Sequence, residues 1–188
     1  LFKIFENNLN KTKLKIRFNP TLNFESYNDI IFNNNTLHIW SKRNEYFDKN
    51  IILGPGSVEI KENLIIKKNQ KLTINDGTTI LMWPNTSILS EGKVEILGDK
   101  AGVIITRKFK DKSWGNFSII GKHSSSSFIK NTKINGGSIS GLKNIIFSGM
   151  LSIFWNNNIL LENVELSNNK IGDDTLHITK SSGRINNL

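Results

Sequence analysis

The chain has 188 residues, with 25 Lys and Arg against 16 Asp and Glu, a net charge of +9 and no cysteine. That length admits one domain with a sizeable core, and the lack of cysteine excludes disulfides, thiolate metal sites and thiol catalysis. No apolar run approaches the roughly 20 residues of a membrane-spanning helix.

With 27 Asn, 28 Ile and a single Ala, Ala101, the composition favours strands and corners over helices. The positive charge favours polyanions: an acidic polysaccharide, an anionic cell surface or nucleic acid. Its even spread along the chain equally fits a solvated surface.

Residues 1–53 differ from the rest. Leu14, Ile16 and Phe18 alternate with Lys15 and Arg17 and predict a half-buried strand ending at Asn19-Pro20. Leu37, Ile39 and Trp40 predict a second strand, with Asn33-Asn34-Asn35 as a loop before it. A stacked β-architecture exposes its first layer, so residues 1–53 are expected to be an N-terminal cap or the tail of an upstream domain. The chain opens at Leu1, and a targeting segment is expected upstream of it.

Gly54-Pro55-Gly56 opens a regular region. Leu64, Leu72, Ile80, Ile88, Ile96 and Ile104 follow one another at eight-residue intervals. Apolar residues alternate around them, as in Val58/Ile60 and Val94/Ile96, and turn residues such as Asn75-Asp76-Gly77 and Gly98-Asp99 stand between. A helix cannot carry this pattern, because eight residues rotate its face by roughly 80°. Three such units make one coil of roughly 24 residues, and parallel crossovers are right-handed almost always. The predicted fold is all-β: a right-handed single-stranded parallel β-helix, or solenoid, over residues 54–188.

The meter breaks at Arg107–Lys112, predicted to project as a loop, and Trp114-Gly115 restarts a strand over Phe117–Ile120. Ser124–Ser127 reads as a turn. Ile129-Lys130-Asn131, Leu142-Lys143-Asn144, Leu161-Glu162-Asn163 and Ile185-Asn186-Asn187 share the form Ile/Leu-x-Asn. An Asn at one corner of each coil would bond the Asn above and below it as a ladder. The chain reaches Leu188 inside a further repeat, so more coils or a partner are expected at that end.

Trp114-Gly115-Asn116-Phe117, the Gly-rich turns and the Ile/Leu-x-Asn units resemble bacterial right-handed β-helix proteins of the pectin-lyase-like class. The resemblance implies secretion or surface display, and contact with carbohydrate. Fold alone does not give function.

Gly172-Asp173-Asp174-Thr175-Leu176-His177 is the sharpest polar cluster. Asp173 and Asp174 suit a hard cation such as Ca²⁺, or acid–base work in glycoside cleavage with His177 nearby. Polygalacturonase-type hydrolases carry a similar Gly-Asp-Asp, but their Asn-Thr-Asp and Gly-His-Gly companions are missing here. A plain turn, capped by the Asp side chains, is the competing reading. If alternation starts at Thr175, Leu176 points inward and His177 outward. The isolated His38 and His123 read as structural and solvated residues.

Arg107, Lys108, Lys110 and Lys112, with Phe109 and Trp114, form a basic stretch with aromatics that suits an acidic sugar chain. Nucleic acid is not expected, since no recognised binding motif is present. No cofactor is expected apart from the Ca²⁺ alternative. The expected function is a non-enzymatic secreted or surface scaffold that binds polysaccharide. A polysaccharide lyase or glycoside hydrolase, and an adhesin module assembling end to end, remain as alternatives.

Overall fold

The structure, a computed structural model, describes residues 29–33, 36–40, 50–172 and 174–188. The strand expected around Leu14–Phe18 lies outside these residues, as does Asp173. Strands account for 58% of the fold and helix for almost none, so the class is all-β. By compactness the chain divides into Leu1–Asp48 and Lys49–Leu188. In the first unit, β1 (Asp29–Asn33) pairs antiparallel with β2 (Thr36–Trp40). The strand expected around Leu37 and Ile39 is β2; its partner, the apolar Ile30-Ile31-Phe32 run, was not anticipated.

The second unit is a parallel β-solenoid of about 5 turns. Its first coil is β3 (Ile51–Leu53), β4 (Gly56–Ile60) and β5 (Leu64–Ile66). The second is β6 (Lys71–Asn75), β7 (Thr78–Met82) and β8 (Ile88–Ser90), and the third β9 (Lys93–Leu97), β10 (Val103–Arg107) and β11 (Phe117–Ile120). The fourth begins with β12 (Phe128–Asn135), sends out the short strands β13 (Ser140–Leu142) and β14 (Ile145–Phe147), and closes with β15 (Gly149–Phe154). The fifth is β16 (Asn157–Ser167) and β17 (Asp174–Thr179), after which β18 (Ser182–Asn186) pairs with β16.

Three walls result. One runs β3, β6, β9, the start of β12, the start of β16 and β18. The second runs β4, β7, β10 and the later halves of β12 and β16. The third runs β5, β8, β11, β15 and β17. The long strands β12 and β16 each turn a corner and join the first two walls.

The metered residues fill the bore. Leu72, Ile80, Ile88 and Ile96 are wholly buried, together with Ile74, Met82, Phe117, Ile119 and Leu151. Each such side chain contributes about 1.5–3 kcal/mol of burial. Leu64 is half-buried, since its strand has a neighbour on one side only.

Ile104 departs from the expected meter: it stands 39% exposed, while Val103 and Ile105 point inward. The turn from Gly98 to Gly102 has the wrong parity for the eight-residue spacing. A shift of one residue moves a side chain to the other face of a strand.

At the corner between the first two walls, Asn131, Asn163 and Asn187 all take left-handed backbone, with φ of 44°, 51° and 59°. Asn163 Nδ2 donates to Asn131 Oδ1 at 2.8 Å, and Asn187 Nδ2 to Asn163 Oδ1 at 2.9 Å. Asn131 Nδ2 continues the line to the Gly98 carbonyl at 2.8 Å. One coil earlier, the Asp76 carboxylate accepts the backbone N–H of Asp99 at 2.7 Å and of Ala101 at 3.2 Å. Those amides, Asp99 first, hold the Asp76 carboxyl below its ordinary range.

So three of the four Ile/Leu-x-Asn units make the ladder. The fourth does not: Leu142-Lys143-Asn144 is the tip of the β13–β14 hairpin, where Lys143 and Asn144 are both left-handed.

That hairpin lies on the outside of the third wall. Its Phe147, Leu142 and Ile145 pack with the outward-facing Leu89, Ile120 and Phe154, which come from three successive coils. Ser87 Oγ donates to Ser140 Oγ at 2.9 Å, and Lys143 Nζ pairs with Glu91 at 2.9 Å. Among the described residues no helix is long and apolar enough to cross a membrane.

Candidate functional site

The basic stretch leaves the second wall at the end of β10. The register sets Ile60, Met82 and Arg107 beside one another, so the residues that follow, Lys61, Trp83 and Lys108, stand in a row at one corner. Trp83 N donates to the Ile60 carbonyl at 3.0 Å and Lys108 N to the Met82 carbonyl at 2.7 Å, which fixes that row.

Glu59 is the hub of the corner. Lys108 Nζ donates to Glu59 Oε1 at 2.6 Å, Trp83 Nε1 donates to Oε2 at 3.1 Å, and Lys61 Nζ lies 3.6 Å from Oε2. Above it, Phe109 meets Trp83 edge to face, with centroids 5.6 Å apart and planes at 82°. Lys61 Nζ sits 5.3 Å from the Trp83 ring centroid and Lys112 Nζ 6.0 Å from that of Phe109. Phe109, Lys110 and Lys112 are exposed. Lys61 and Lys112 thus stand at the two aromatic rings, Lys61 and Lys108 share Glu59, and Lys110 is exposed next to Phe109 in sequence. Such a corner can stack a sugar ring and pair with its carboxylate.

The hydrogen bond from Lys108, followed by that from Trp83, pulls Glu59 from its ordinary 4.5 down to about 2. A depressed carboxyl stabilises the fold above its unfolded pKa, and that contribution is lost as pH falls from 4.5 through about 2. A carbon-detected titration of the Glu59 carboxyl is expected to show a midpoint near 2, rising toward the ordinary value in Lys108→Met. A midpoint near 4.5 in the wild-type protein contradicts the pairing.

Two members of the expected patch are placed differently. Trp114 is a core residue, 1% exposed, and its Nε1 donates to the Asn135 carbonyl at 2.8 Å. The chain dives back into the bore after Ser113, so proximity in sequence to the lysines does not put the indole at the surface. Arg107 is half-buried, packed on Gly136, and its Nη1 is buried without a hydrogen-bond partner among the described residues. Trp83, Lys61 and Glu59 take part instead. They were not expected from the sequence; their common position, directly after or near the end of a wall strand in successive coils, emerges only from the register.

The second candidate lies at the outer face of the third wall. His177 pairs with Ser152 in register, and Leu176 packs against the core, as alternation from Thr175 requires. The His177 ring lies 5.2 Å from the Phe154 ring, tilted by 32°. His177 Nδ1 is 3.0 Å from Asp174 Oδ2 and 2.6 Å from Ser148 Oγ, while Nε2 is 2.7 Å from Thr179 Oγ1. Ser148 Oγ also donates to Asp174 Oδ2 at 3.2 Å.

A serine relay needs the nucleophile on one ring nitrogen and the carboxylate on the other. Here both meet Nδ1, and Thr179 takes Nε2. The cluster therefore ties Ser148, at the foot of the hairpin, to β17. Among the described residues no group of three or more His, Asp or Glu suits a metal ion. His123 is exposed in the 3₁₀ turn Lys122–Ser124.

No protein-family model, curated protein or solved structure matches this chain.

Proposed function

We propose that the solenoid is a non-enzymatic scaffold of the pectin-lyase-like kind, secreted or displayed at a cell surface, that binds an acidic polysaccharide. The observation that carries this reading is the Trp83–Phe109 ring pair with Lys61 and Lys112 at its rings and Lys108 on Glu59 at the same corner, the exposed Lys110 following Phe109 in the chain. Aromatic faces suit the C–H face of a pyranose, and clustered ammonium groups suit a repeating carboxylate. The engagement of both His177 nitrogens within the fold supports binding over turnover at the other cluster.

Alginate is the probe. Calorimetric titration is expected to show binding that weakens with salt, as charge pairing at an exposed surface requires. The triple variant Phe109→Ala, Lys110→Gln, Lys112→Gln is expected to bind at least tenfold more weakly, or about 1.4 kcal/mol. Unchanged affinity in that variant refutes the site. Release of unsaturated or reducing ends from alginate refutes the non-enzymatic part.

A further inference from the structure

The turn from β15 to β16 holds a tryptophan at a corner that elsewhere suits glycine or asparagine. Ile120, Phe154 and Thr179 are in register, so Gly121, Trp155 and Lys180 occupy one corner of three successive coils. The backbone confirms the row: Gly121 N donates to the Phe154 carbonyl at 2.8 Å and Trp155 N to the Thr179 carbonyl at 3.1 Å. All three are left-handed, with φ of 82°, 50° and 48°. For a bulky aromatic residue this is a rare and strained backbone. Trp155 is nevertheless 47% exposed, so about half of this large residue stays open to a ligand in spite of that strain.

The surroundings of the indole are asymmetric. On one side, Lys180 Nζ stands 6.0 Å from the ring centroid. Phe154 supports the ring at 5.8 Å with a tilt of 43°. On the other side lies Gly121, and a methyl group built there would meet nothing within 4 Å. The coil before Trp155 thus leaves open space beside the ring. Lys122, the residue after Gly121, is exposed, as are Asn157 and Asn158 just beyond Trp155. Among the described residues neither Lys122 nor Lys180 pairs with a carboxylate.

We propose that Trp155 is a stacking platform for one uronic acid residue of a glycan. The sugar's C–H face lies on the open side of the indole, over Gly121. Its carboxylate pairs with Lys122, and Lys180 holds the ring from the far side. This is a second site, on a different corner from Trp83 and Phe109, and it stands or falls separately.

The test is a titration of the full chain with an alginate hexasaccharide, followed by the indole N–H resonances. These distinguish Trp155 from Trp83 once each is assigned by substitution to Phe. The Trp155 signal is expected to shift on titration. Methyl-esterified hexasaccharide is expected to shift it with at least tenfold weaker affinity. Lys122→Gln is expected to weaken the acidic sugar by a similar factor and to leave the ester unchanged.

Trp155→Gly, which removes the ring and suits the left-handed corner, is expected to abolish this binding event while the protein stays folded. A Trp155 signal unmoved by the hexasaccharide overturns the proposal, even where the Trp83 signal moves. A signal moved by single-stranded oligothymidylate and not by alginate also overturns it. So does Trp155→Gly with undiminished binding, which would make the indole a packing residue.

Discussion

Replacing Trp114 with alanine is expected to lower the stability of the solenoid by about 3–5 kcal/mol. The indole is 1% exposed and lies in the main core beside Phe117 and Met150. It packs so closely on Gly137 that a methyl group there would lie 2.9 Å from Cζ2 and 2.5 Å from Met150 Cγ. Loss of the ring leaves a cavity and also strands the Asn135 carbonyl, which accepts the indole N–H. A domain of this size has a net stability of about 5–15 kcal/mol, so the substitution removes a large share of it. Urea unfolding followed by circular dichroism measures the drop. Trp114→Phe keeps most of the volume and is expected to cost about 1–3 kcal/mol. A surface indole, by contrast, would cost within about 0.5 kcal/mol. A native midpoint for Trp114→Ala therefore contradicts burial.

Gly98→Val is the second large effect, and its cause is close approach. A Cβ at this position would sit 2.4 Å from the Lys130 carbonyl oxygen and 2.5 Å from that of Asn131. Both obstacles are backbone of the next coil, held by the ladder in which Asn131 Nδ2 bonds the Gly98 carbonyl at 2.8 Å. Neither can swing away as a flexible side chain would, so the two coils must part. We expect a loss of about 3 kcal/mol or more, with exposure of the third-coil core to a hydrophobic dye. Gly121→Ala is the control. It adds a methyl where nothing lies within 4 Å and pays only for its φ of 82°, about 1 kcal/mol. Equal stability of Gly98→Val and wild type would mean that the coils are not stacked in this register.

Much of the architecture was legible because the bore imposes a single demand, an apolar side chain at each inward position. Leu72, Ile80, Ile88 and Ile96 obey it without exception. Ile104 does not, because strand alternation is a local rule whereas the phase of the next strand depends on how many residues the Gly98–Gly102 turn consumes. The ladder was legible through Asn131, Asn163 and Asn187, whose side chain suits both left-handed backbone and amide stacking. The same letters at Leu142–Asn144 serve a hairpin, and nothing within three residues distinguishes the two uses.

The candidate sites were less legible. Trp114 and Phe109 both lie within two residues of a lysine in sequence, and only the path of the chain sends one inward and leaves the other outside. Trp83 and Lys61 reach the same corner from earlier coils, a relation visible only once the register is known. Asp174 and His177 do meet, as their spacing allowed, but Ser148, which completes the cluster, comes from the preceding coil.

The β13–β14 hairpin alters how this molecule must come apart. In a simple solenoid each repeat touches only its neighbours, so loss of structure can begin at an end and travel inward one repeat at a time. Here a loop sent out by the fourth coil reaches back across the third to Ser87, Leu89 and Glu91 of the second coil and the turn after it. Fraying that starts at either end meets a strap spanning three layers. The middle of the rod consequently melts as one cooperative block, while the outermost turns are left to open and reclose on their own.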